Sequence, residues 1–104
     1  MSLDVYLTCK HCKHSVLDLN ITHNISPMWS KLGIRDLLYT GQPRAGDLVE
    51  PLTLAIRAMR DDWPAFAALN PSNGWGSADG ALRFLVELRD ACEANPELSL
   101  EASP

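Results

Sequence analysis

The sequence predicts a small α+β domain, a short antiparallel sheet packed against three helices in the order β-β-α-α-α-β. Three observations carry that prediction. Residues 3–9 and 17–22 alternate apolar and polar with a period of two. Residues 48–59 and 81–92 carry apolar stripes at helical spacing. Residues 98–101 return to alternation and supply a possible third strand.

Along the first strand Leu3, Val5, Leu7 and Cys9 face one way, and Asp4, Tyr6 and Thr8 the other. The polar, cationic residues 10–14 suit a turn. Leu17, Leu19 and Ile21 then alternate with Asp18, Asn20 and Thr22, and so short a connection makes an antiparallel hairpin. Ser26 is placed to cap the first helix, with Pro27 at its first position. That helix runs from Met28 to Leu38, with Gly33 as a flaw costing ~1 kcal/mol. Gly and Pro mark residues 39–46 as a loop.

Asp47 is the expected cap of the second helix, whose stripe is Leu48, Leu52, Ala55, Ile56 and Met59. Pro51 then falls in its first turn, where a missing N–H costs little. Trp63 and Pro64 close it, and residues 64–69 allow one more short helical turn. Ser77 is the expected cap of the last helix, residues 78–94, which Asn95-Pro96 ends.

A chain of 104 residues fits a single domain. Nine Lys and Arg against thirteen Asp and Glu give a net charge of −4, so there is no general attraction to nucleic acid or anionic lipid. No run reaches the ~18–20 apolar residues of a membrane span, and the N-terminus has no secretory pattern. Three cysteines, Cys9, Cys12 and Cys92, suit a reducing cytoplasm better than a disulfide scaffold.

Three stretches can carry chemistry. Cys9 and Cys12 have the C-x-x-C spacing of a zinc site, with His14 beside them. His23 would complete four ligands, but at ~3.3 Å per residue of strand it lies roughly 25–30 Å from the turn. Zinc is therefore an incomplete site here, or one shared with a second chain, and no cofactor is expected. The competing reading is a solvated cationic turn.

Thr22, His23 and Asn24 form a polar junction between the second strand and the first helix, where they can hold a ligand or satisfy local backbone groups. Asn73, Gly74, Trp75, Gly76 and Ser77 belong to a turn-rich loop, residues 70–77, that runs into a helix N-terminus. There an anion could bind with Trp75 stacked on an attached ring. Alternatively, Trp75 plugs the core and the glycines let the backbone pass around it. No phosphate-loop, hydrolase or zinc-protease motif is present.

Residues 2–7 (Ser-Leu-Asp-Val-Tyr-Leu), 20–24 (Asn-Ile-Thr-His-Asn) and 70–76 (Asn-Pro-Ser-Asn-Gly-Trp-Gly) together resemble a family of small uncharacterised proteins encoded by phages and prophages. Residues 48–52 and 91–93 look similar as well, whereas the Cys9–Cys12 turn departs from the pattern. The resemblance implies a protein made in the cytoplasm of a bacterial host cell. It also places Thr22, His23, Asn24, Asn73, Gly74, Trp75 and Gly76 in signature positions.

The resulting expectation is a non-enzymatic phage-type accessory protein that binds a small ligand or a host protein, with counter-defence as one role. One alternative is a small enzyme on a nucleotide-like phosphorylated metabolite, with His23 as acid or base and the Ser77 helix end holding the anion. Another is a zinc-stapled interaction module. Open sheet edges make a homodimer a further possibility. A shared site requires Thr22-His23-Asn24 to meet the Trp75 loop.

Overall fold

The computed structural model describes residues 2–9, 15–39, 43–71 and 76–103, excluding the side chains of Ser2, Ser15, Val16 and His23. Strands β1 (Ser2–Thr8) and β2 (Ser15–Thr22) form the predicted antiparallel hairpin. Its register pairs Leu3 with Ile21, Val5 with Leu19 and Leu7 with Leu17. Every apolar side chain of the alternating pattern therefore lies on one face. The C-terminal strand β3 (Ser99–Ser103) pairs antiparallel with β1, Leu100 opposite Leu7, so the sheet order is β2-β1-β3. The α+β order read from the sequence is the order of the structure.

There are five helices among the described residues, because the first predicted helix is two and the short turn after the second is a helix of its own. Helix α1 (Ser26–Leu32) stops at Gly33, which adopts a left-handed φ of 73°. Gly33 N–H donates to Ser30 O and Ile34 N–H to Trp29 O, the paired bonds of a Schellman cap. Helix α2 (Arg35–Tyr39) then starts in a new direction. The flaw at Gly33 is thus a stop. The expected Ser26 cap is also replaced. A 3₁₀ turn, His23–Ile25, leads into α1, and its cap residue Ile25 makes no side-chain bond.

Helix α3 (Ala45–Asp61) begins two residues before the expected cap. Its first N–H groups find partners in the tertiary structure: Ala45 N–H donates to Leu98 O at 2.7 Å and Gly46 N–H to Pro96 O at 3.0 Å. Carbonyls from the segment before β3 thus replace a side-chain cap. Asp47 sits inside the first turn, and Pro51 lies inside the helix rather than in its first turn. Helix α4 (Trp63–Ala67) is the short turn foreseen after Pro64, and α5 (Ala78–Ala94) ends where Asn95-Pro96 predicts.

The core lies between the sheet and α1, α3 and α5. Leu3, Val5 and Leu7 of β1 are fully buried against Leu48, Leu52, Ile56, Leu85 and Leu88. Each such side chain contributes about 1.5–3 kcal/mol by leaving water. The two sheet edges differ. Beyond β3, Leu100 N–H donates to Pro43 O, and Arg44 bridges Ser99, so residues 43 and 44 cover the Ser99–Leu100 end of that edge. At the other edge β2 is the last strand, and its inward side chains Leu17, Leu19 and Ile21 are only half-buried. They pack against the core there without being fully covered.

Candidate functional site

The end of β2 meets the start of α5, and Gly76 is the point of contact. Its φ is +101°, in the region that side-chain-bearing residues rarely adopt. A Cβ there would stand 2.7 Å from Thr22 Cγ2 and 2.8 Å from Ile25 Cδ1. The backbone at Gly76 therefore lies directly on the junction that carries Thr22. Part of the meeting that a shared site requires is thus present in the fold.

A cleft of about 350 Å³ opens beside this contact. One wall is the β2 edge, with Leu19, Asn20, Ile21 and Thr22, continued by Ile25. The other is one stripe of α5 and the loop before it: Gly76, Ser77, Gly80, Arg83, Phe84 and Glu87. Positions 80, 83, 84 and 87 recur at helical spacing, so a single helix face makes the wall. Gly80 leaves that wall without a side chain near Thr22. Phe84 is buried and tilts against fully buried Trp29 of α1, ring centroids 5.7 Å apart, which sets the floor firmly. The floor is apolar; Asn20, Thr22, Ser77, Arg83 and Glu87 supply hydrogen-bonding and charged groups.

The sequence expectation of an anion at the α5 N-terminus meets competition from the chain itself. Gly80 N–H donates to Ser77 Oγ at 3.1 Å, as the cap reading required. Ala78 N–H donates to the Asn70 side-chain oxygen at 2.7 Å. Two of the N–H groups that would greet an anion are already engaged, and Asp79 adds a negative charge in the first turn. At the junction, Asn24 N–H donates to Thr22 Oγ1 at 3.3 Å, a local turn bond of the kind expected of these residue types.

The sequence-predicted residues are thus divided. Thr22, Gly76 and Ser77 share the cleft, while Asn24 is exposed beside it. Asn73, Gly74 and Trp75 lie outside the described residues, as does the side chain of His23. Cys12 and His14 of the expected zinc turn also lie outside them. Cys9 is half-buried just past β1, and no group of metal-binding side chains occurs among the described residues.

Ile25, Gly80, Arg83, Phe84 and Glu87 were not expected in a site. Their sequence signal is the i, i+3, i+4, i+7 spacing of the last four, but the apolar stripe of the same helix hides it. Elsewhere, Tyr6 stands on the outer face of the sheet, where desolvation and then the charges of Asp4 and Asp18 raise its pKa. Burial pushes the Cys92 thiol up to about 11, which marks it as a core residue rather than a nucleophile. No helix among the described residues is long and apolar enough to cross a membrane. Comparison with known protein families, curated proteins and solved structures finds no match for the chain.

Proposed function

We propose that this protein is a non-enzymatic accessory protein of phage or prophage type, acting in the bacterial cytoplasm, and that it binds a small ligand or a segment of a host protein in the β2–α5 cleft. One observation carries the reading: Thr22 and Gly76, from two separate signature segments, touch and wall the same cleft. The chemistry of the walls is that of recognition. Leu19, Ile21, Ile25 and Phe84 offer apolar contact, and Thr22 and Ser77 offer hydroxyls at one end. Ser77 accepts from Gly80 N–H and still has its own O–H to donate. The best-fitting ligand presents an apolar group to Phe84 and a hydrogen-bonding edge to Thr22 and Ser77. The enzyme alternative draws less support, because its anion-holding helix end is occupied by Asn70 and Ser77.

The test is a thermal-shift and NMR titration with nucleotides and cyclic dinucleotides, run beside a pull-down from bacterial lysate. Each is repeated with Gly80→Leu, which fills the Thr22 end of the cleft. A ligand or a captured protein that the wild type holds and Gly80→Leu loses supports the reading. Binding unchanged by Gly80→Leu, or no binding partner in either assay, removes it.

A further inference from the structure

We propose that the protein pairs with a second copy of itself through β2, the two β2 strands running antiparallel about a two-fold axis at Leu19 and joining the two sheets into one. The edges of the sheet point to this. The Ser99–Leu100 end of the β3 edge is covered by the chain's own residues 43 and 44, whereas among the described residues nothing pairs with the outer side of β2. The apolar cover also thins at β2: Leu3, Val5 and Leu7 of β1 are fully buried, but their β2 neighbours Ile21, Leu19 and Leu17 are only half-buried. An identical edge with the same half-buried row covers both at once, and a two-fold contact closes after two copies.

Charge selects the occupant and the register. In a continuous sheet, directly opposed residues face the same side, so odd positions must oppose odd positions. Two registers then overlap the strands most fully. One centres on Asp18 and sets it against Asp18 of the other copy, two like charges face to face. The other centres on Leu19, setting Leu17 against Ile21 and Asp18 against Asn20, an acceptor against an amide donor.

Helix α5 agrees with the second register. Its first residues lie at Thr22 and it runs back under β2. Three strand residues from Thr22 to Leu19 span about 10 Å, which is about seven helical residues from Ser77, bringing Phe84 level with Leu19. A two-fold axis near that level sets Arg83 of each copy against Glu87 of the other.

This pairing goes beyond the ligand reading. It also gives the cleft its missing side, since backbone position 17 of the other copy stands opposite Ile21. It is tested without any ligand, by light scattering on the purified full chain across a micromolar concentration series. The expected mass is twice 11.5 kDa. Leu19→Lys is expected to give the monomer mass, while Leu54→Lys, on the exposed outer side of α3, keeps the dimer.

Glu87→Arg, at an exposed position, is expected to weaken the dimer roughly tenfold or more, and Arg83→Glu/Glu87→Arg to restore it. A wild-type monomer throughout the series overturns the proposal and leaves the edge to a strand of another protein. A dimer that survives both Leu19→Lys and Glu87→Arg overturns it as well. A monomer that still binds its ligand would leave the proposed function standing, and a dimer that binds nothing would do the reverse.

Discussion

At the scale of single residues, Gly76 and Gly33 share a positive φ but differ in consequence. A Cβ added at Gly33 would meet no atom within 4 Å, whereas one added at Gly76 would meet two side chains within 3 Å. Gly33→Ala is expected to cost about 1 kcal/mol, for the left-handed cap alone. Gly76→Ala adds a clash with Thr22 and Ile25 to that strain and is expected to cost about 2–4 kcal/mol. Urea melts of the two variants check the order, and equal losses would show that the loop does not rest on the junction as described.

Cys92 makes a pH prediction. Its thiol is held up to about 11 in the fold against an ordinary 9.0. The unfolded chain therefore loses this proton first, and stability falls as pH rises from 9 toward 11. In Cys92→Ala the baseline stability drops, yet this alkaline slope should flatten. The sequence marks these positions but not their consequences. A glycine's φ and a thiol's burial depend on what lies against them, and here those neighbours come from β2 and the core.

At the scale of elements, α5 was the most legible. Its stripe, its Ser77 cap and its Asn95-Pro96 stop are local and all hold in the fold. Asn70 was visible only as a turn residue, because its capping bond to Ala78 spans eight residues of loop. Asn70→Ala is expected to cost about 1 kcal/mol, as is Ser77→Ala, since each leaves one helix-end N–H without its acceptor. Gly80→Ala should do the opposite. Its new Cβ meets only Ser77 Oγ at an ordinary 3.5 Å, so helix propensity raises stability by about 0.5 kcal/mol. A stability gain with weaker ligand binding would show that Gly80 is kept open for the cleft. For α3 the sequence misplaced the start, because carbonyls of Leu98 and Pro96, some fifty residues away, serve as its cap.

At the scale of the whole molecule, the last strand ties the domain together. The β3 region buries Leu98 and Leu100, pairs with β1, and supplies the carbonyl that receives Ala45 N–H at the head of α3. A chain truncated after residue 97 should lose the sheet edge and the α3 start together. Circular dichroism and amide dispersion are expected to show it unfolded or molten, while removal of residue 104 alone should change neither. A folded truncated chain would mean that the hairpin and helices suffice. The core was readable because burial follows period: Leu3, Val5 and Leu7 by twos, Leu48, Leu52, Ile56 and Met59 by threes and fours. The cleft was not readable, since most of its wall is polar or glycine and the helical spacing of its α5 side is hidden by the apolar stripe of the same helix.

By itself, the sequence determined the α+β class, the hairpin, the inward face of each strand and the buried stripe of each long helix. Those are short-range choices between water and core, written in the spacing of apolar side chains. Only the tertiary structure decided that α3 needs no side-chain cap and that Gly76 lies on Thr22 and Ile25. It also decided that, among the described residues, Leu17, Leu19 and Ile21 of β2 are left half-covered. Each of those depends on a contact between segments far apart in the chain, and no local pattern records which carbonyl, methyl or helix will arrive there.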